Sequence, residues 1–140
     1  MDMIKGIERI EDKGELLALI ARSYFKANNL DFITENHHSF QIGFHNKKKG
    51  SRARAHFSLP FKELKNLIPN KIYYVKNGNI GVDIYDNNNK KVIYVTLNEG
   101  DLIVFISGAH GVDFLKDSEV IEIKQGPYRG VDIEKKFIEK

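Results

Sequence analysis

Apolar and polar positions alternate along much of this chain with a period of two, the mark of strands with one face buried. Residues 39–45 put Phe40, Ile42 and Phe44 on one face and Gln41 and Gly43 on the other. Residues 52–58 put Arg52, Arg54, His56 and Ser58 on one face and Ala53, Ala55 and Phe57 on the other. From residue 71 onward, strands are predicted at 72–75, 80–85, 92–97, 102–106, 112–115 and 120–124. Between them stand turn signals: Lys76-Asn77-Gly78-Asn79, the asparagine run at 86–90, Asn98-Glu99-Gly100-Asp101 and Lys116-Asp117-Ser118. The first of these turns predicts 72–75 and 80–85 as hairpin partners. The run 102–106 lacks alternation, which predicts a strand covered on both faces. Strands recurring every roughly eight to twelve residues predict an all-β sandwich or barrel.

The remaining segments are less regular. Leu16, Leu17, Leu19, Ile20, Tyr24 and Phe25 suit an amphipathic helix, and also a strand followed by a turn. Residues 30–34 form a short apolar run. Phe61, Leu64, Leu67 and Ile68 suit one or two helical turns within 60–69. The stretch 126–130 leaves the last strand abruptly, and 131–140 reads as a charged surface tail or a short extra element.

Composition narrows the function classes. At 140 residues the chain is most simply one domain spanning 1–140, long enough for a core without staples. The absence of cysteine excludes a disulfide framework, a thiolate nucleophile and a Cys-type zinc site. It also fits a reducing compartment. The N-terminus carries acids and lacks an apolar signal segment, and the longest apolar run is only strand length, so a cytoplasmic protein with no membrane partner is expected. A net charge of +3 is mild. The cluster Lys47-Lys48-Lys49 beside Gly50 reads as a solvated loop, and no nucleic-acid partner is expected.

The block 100–111 carries the sharpest chemical signal: a glycine turn, an apolar strand, a second glycine turn at Gly108, then His110 opening the next strand. Together with 72–78, the acidic hairpin after it and Gly100-Asp101, this block resembles the cupin superfamily, the RmlC-like double-stranded β-helix or jelly-roll barrel. The ending Lys124-Gln125-Gly126-Pro127-Tyr128 is similar to a group of small bacterial cupins associated with genes for sugar-nucleotide and surface-polysaccharide synthesis. The resemblance implies a barrel whose mouth holds a ligand. It also implies a divalent metal held by two histidines and a glutamate of a first motif and a histidine of a second. His56 fits the first histidine, and His110 fits the last, one residue short in its spacing from the glycine. Ser58 stands at the second histidine position and Lys71 at the glutamate position. Glu63 and Glu119 are nearby carboxylates that no spacing assigns. The expectation is therefore a site that requires no cofactor, with a divalent metal, if bound, on His56 and His110.

The remaining candidates follow from parity. Arg52, Arg54 and His56 on one face form a donor set for an anionic ligand, or the arginines pair with acids on neighbouring strands. An inward Lys71 would be desolvated, lowering its pKa and suiting it to act as a base or donor; Glu122 is the expected neutralising partner. Tyr73 shares its face. Glu122 and Lys124 oppose Ile121 and Ile123 on the last strand. Tyr128, after Gly126-Pro127, is placed to close over a pocket, while Tyr74, Phe105 and Phe114 read mainly as core. His37, His38 and His45 read as surface residues. The catalytic candidates are His110, His56 and Lys71. The ligand candidates are Arg52, Arg54, Tyr73, Glu122, Lys124 and Tyr128.

The expected function is a small-molecule-binding cupin acting on or binding a carbohydrate or sugar nucleotide, as an isomerase or epimerase if it is an enzyme. Two alternatives stand beside it. One is a metal-dependent oxygenase or isomerase with a reduced ligand set. The other is a non-catalytic regulatory or partner module. A homodimer is expected, with residues 16–25 supplying a sheet edge.

Overall fold

The computed structural model describes residues 4–22, 24–64 and 68–140. An N-terminal hairpin of β1 (Ile7–Asp12) and β2 (Glu15–Ala21) forms a two-stranded sheet of its own. The segment 16–25 therefore begins as a strand. Phe25 beyond it is buried and meets Phe44 edge-on at 4.9 Å. Leu67 and the side chains of Leu16 and Leu17 lie outside the described residues.

The body is two antiparallel five-stranded sheets. Its further strands are β3 (Asn29–Phe32), β4 (Phe40–Lys47), β5 (Arg52–Ser58), β6 (Lys71–Asn77), β7 (Asn79–Tyr85), β8 (Lys91–Asn98), β9 (Leu102–Phe105), β10 (Ala109–Phe114), β11 (Ser118–Gln125) and β12 (Lys135–Phe137). One sheet runs β12-β5-β10-β7-β8 and the other β3-β4-β11-β6-β9. Among the described residues of 60–69, one 3₁₀ turn, Lys62–Leu64, stands where helical turns are expected. The C-terminal segment is no loose tail. It supplies a one-turn helix α1 (Val131–Glu134) and then β12, which pairs with β5.

Two expectations about strands are corrected. The strands flanking Gly78 are not hairpin partners: β6 pairs with β11 and β9, while β7 pairs with β10 and β8. The chain crosses between sheets at Gly78, whose φ of +99° suits glycine and whose missing side chain leaves room for Ser118. The apolar strand β9 is a sheet edge, and one of its faces is open, with Leu102 55% and Val104 43% exposed. It lacks alternation because both faces are apolar, while only the face carrying Ile103 and Phe105 packs on the core.

The core lies between the sheets. Val75 of β6 and Val120 of β11 meet Ile80 and Val82 of β7, Leu97 of β8, and Val112 and Phe114 of β10. Inward positions toward the opposite end of the same strands are polar, and that end holds the candidate site.

Candidate functional site

Alternation on three strands, β4, β6 and β11, brings titratable groups together inside the barrel. On β11, Ser118, Val120, Glu122 and Lys124 are buried; on β6, so are Lys71, Tyr73 and Val75. Cross-strand register sets Lys124 beside Lys71 and Glu122 beside Tyr73. On β4 the buried positions are Gln41, Gly43 and His45, while Phe40 is 64% exposed. The inner face of 39–45 is thus the polar one, not the aromatic one. This corrects the reading of His45 as a surface residue. The signal was present, since His45 shares parity with Gln41 and Gly43. Phe44 can face outward because Phe25 covers it.

Glu122 is the centre of this group. Its carboxylate is 2.8 Å from His45 Nε2 and 3.9 Å from Lys124 Nζ, and it accepts the Tyr73 hydroxyl. Burial alone would raise its pKa. The Lys71 ammonium, the His45 hydrogen bond and Lys124 outweigh burial and hold it well below the usual carboxylate range. An ionised carboxylate only accepts, so His45 Nε2 carries the proton that it donates. His45 Nδ1 is buried without a hydrogen-bond partner among the described residues. Burial and the neighbouring Glu122 charge push the Tyr73 phenol well above its ordinary value, so it stays a neutral donor.

His56, Lys71 and His110 form a second, adjoining cluster. His56 Nδ1 lies 2.8 Å from the Arg54 carbonyl and donates to it; Nε2 is left to accept from Lys71 Nζ at 3.2 Å. Burial, then Lys71 and Lys135, push His56 down to about 3. Burial lowers Lys71 to about 8 against the opposing pull of Glu122. His110 stacks on Phe105 at 3.7 Å and meets His56 edge-on at 4.8 Å. Burial, then Lys71, hold it well below the usual imidazole value, and its Nε2 has no hydrogen-bond partner among the described residues.

A cavity of about 360 Å³ opens beside these clusters. His45, His56, Tyr73, Glu122, Lys124 and Lys135 line its inner part, and Phe32 and Tyr128 its mouth. Phe32 can lie across β4 because a side chain at Gly43 would collide with its ring. Tyr128 is set by backbone bonds of Gly126 to Ser39 and of Tyr128 to Asn36. Lys124 Nζ sits 5.2 Å from the Phe32 ring centre and 5.5 Å from that of Tyr128. Lys135 was not singled out in the sequence, where nothing distinguishes it from its charged neighbours. It reaches the cavity because β12 pairs with β5 there.

Arg52 and Arg54 do not share a face with His56. The pairing of β10 with β5 shifts between His110–His56 and Val112–Ala53, so β5 carries one extra residue. This bulge turns His56 inward with Ala53, against strict alternation. Arg52 touches the cavity rim, but its guanidinium is 2.8 Å from Asp113, 3.1 Å from Asp83 and 2.7 Å from Glu139. Arg54 stacks over Phe137 at 3.9 Å. Both arginines serve the outer side of the sheet and the C-terminal strand. Lys71 and His110 are buried behind the cavity wall, and neither lines it.

Solved structures share this architecture. Oxalate decarboxylase from Bacillus subtilis superposes with a TM-score of 0.56 at 18% identity over 71% of this chain and 24% of its own. An RmlC-like cupin from Desulfovibrio desulfuricans gives 0.53 at 19% identity over 71% of this chain and 82% of its own. KdgF from Halomonas sp. gives 0.53 at 20% identity over 71% and 78%. The chain has the cupin fold. It spans about a quarter of the decarboxylase's length. No family model and no curated protein matches the sequence. No helix among the described residues is long and apolar enough to cross a membrane.

Some cupin structures carry a metal; the decarboxylase has Mn(II) centres. The residues here do not fit one. Both ring nitrogens of His56 are engaged, one as donor to Arg54 and the other as acceptor from Lys71. Glu122 is committed to His45, Tyr73 and Lys124. Among the described residues, the side chains close enough to hold one ion together are Glu35, His37 and His38, on an outer turn away from the barrel interior.

Proposed function

We propose that this cupin binds a small, anionic, hydroxyl-bearing molecule, a carbohydrate or sugar nucleotide, in the cavity at the polar end of its barrel. One observation carries the reading: Lys124 and Lys135 line a recess in which Glu122 is the single carboxylate among the described lining residues. Surplus positive charge in a partly desolvated recess favours an anion. The Phe32 and Tyr128 rings flank Lys124 and offer apolar faces to the C–H side of a sugar ring. The volume falls in the range of small-ligand sites, roughly 300–1,000 Å³. Calorimetric titration with a uridine diphosphate sugar, a uronic acid and a neutral hexose tests it. Heat from the charged compounds and none from the hexose is expected. No heat from any of them with folded protein overturns it.

A second reading makes the same cavity an isomerase or epimerase site. The His45–Glu122 pair favours it, since a carboxylate that fixes an imidazole's orientation and tautomer is the usual support of an acid/base histidine. His45, on the cavity wall, then takes the role that the sequence assigned to His56 and His110. Deuterium incorporation from solvent into a bound sugar nucleotide, lost in His45→Ala, is the expected result. Incorporation unchanged in that variant contradicts it.

A further inference from the structure

His56 has no lone pair to spare. Its Nδ1–H is directed at the Arg54 carbonyl, so the only lone pair of the neutral ring is on Nε2, and Lys71 Nζ stands 3.2 Å from that atom. A metal ion binds an imidazole through this same lone pair, at about 2.0–2.1 Å. Ion and ammonium therefore compete for one position. Lys71 is held there by the sheet. Its register on β6 is fixed between Phe105 of β9 and Lys124 of β11, and it is almost wholly buried. Lys124 and Lys135 add two more cations around the same carboxylate, and all three bear electrostatically on Glu122 or on each other. His110, the remaining imidazole of the cluster, is buried against Phe105 with Nε2 unpartnered. The surroundings of His56 and His110 thus already hold a cation, supplied by the chain.

We propose that Lys71 is a built-in cation that excludes a divalent metal from the His56–His110 cluster, so that this barrel works with protein-borne positive charge alone. One substitution should reverse it. Lys71→Glu removes the ammonium, frees His56 Nε2 and adds a carboxylate beside two imidazoles, a two-histidine, one-carboxylate set suited to first-row divalent ions. The exclusion of metal stands on the contacts of Lys71. Only its bearing on an anionic ligand rests on the proposed function.

The test is a Mn(II) titration in the His37→Ala/His38→Ala background, which removes the exposed surface cluster. Histidine NMR signals and calorimetry are the readouts, and no ligand is needed. With Lys71 present, the His56 and His110 signals should stay sharp and no stoichiometric heat should appear. With Lys71→Glu, one equivalent should bind and broaden both signals, and adding His110→Ala should abolish binding. One equivalent bound in the presence of Lys71, with His56 broadened, overturns the proposal. So does a folded Lys71→Glu protein that binds none. Should Lys71→Glu fail to fold, Lys71→Met still frees the lone pair. Broadening of His56 by Mn(II) in that variant supports the proposal, and a sharp His56 signal at saturating ion contradicts it.

Discussion

Inward positions on β11 run from Ser118 and Val120 to Glu122 and Lys124, and those on β6 run from Val75 through Tyr73 to Lys71. The same strands thus build two opposite interiors. At one end Ile80, Val82, Val112 and Phe114 close a core whose packing is mostly apolar and replaceable by a similar shape. At the other end, two histidines held neutral by burial and three lysines surround Glu122, with the buried Glu134 acting on Lys71 and Lys135 as well. The apolar end tolerates its neighbours independently. The charged end is a coupled set, in which Glu122 offsets Lys71, Lys124 and Lys135 and orients His45. Strand alternation alone does not decide which interior forms; residue type at each inward position does.

The comparison breaks most sharply at Glu122. Glu122→Gln removes the main counter-charge of the buried cations, leaving Glu134 to offset Lys71 and Lys135, and should cost about 3–5 kcal/mol, read by urea unfolding. A loss below about 1 kcal/mol would show that Glu134 alone suffices as their counter-charge. At the apolar end Ile80→Ala should cost about 2–5 kcal/mol through transfer and cavity terms, without altering the histidine titrations.

Acid should act on the charged end first. His56 titrates near 6.5 when unfolded and at about 3 when folded, so below about pH 6.5 the unfolded chain binds the proton more readily. Stability should therefore fall as pH drops from about 6.5 to 3, by up to about 1.4 kcal/mol per pH unit for this one group, with His110 acting in the same direction. Lys71 works at the other extreme. Its folded value of about 8 lies below the unfolded 10.5, so stability should rise between those pH values and stay flat below them. Unfolding midpoints across pH 3–10.5 check both, and Lys71→Met should reduce the alkaline rise, leaving the part due to Lys135 and Lys47, which burial also lowers.

Smaller effects concern the cavity mouth. Lys124→Ala and Lys135→Ala should each weaken binding of an anionic sugar about tenfold, the size of a charge-assisted contact. Tyr128→Ala should weaken it by about threefold to tenfold through loss of a stacking face. Calorimetry on folded variants reads both.

Period-two alternation marks β4 and β5, because one buried face per strand leaves that imprint, while β9 is legible only as an apolar run between turns. Alternation does not tell which face is buried. On 39–45 the aromatic face turns outward because Phe25, from a distant segment, covers part of it, and this carries His45, at the strand end beside the lysine loop, inward with Gln41 and Gly43. On 52–58 one extra residue separates His56 from Arg52 and Arg54, and a bulge has no mark in composition. Lys71, Tyr73, Glu122 and Lys124 were legible because β6 and β11 keep strict register there. Lys135 was not, since its place depends on β12 finding β5 across the whole fold.

The central claim is that the charged end of the barrel is the ligand site. The direct measurement is an NMR titration of the protein with a uridine diphosphate sugar, following the side chains of His45 and Lys135 at this end and the methyl groups of Ile80 and Val82 at the other. Shifts confined to the charged end, saturating together and lost in the Lys124→Ala/Lys135→Ala variant, are the expected result. Saturable shifts elsewhere on the surface, or shifts that persist in that variant, contradict the account.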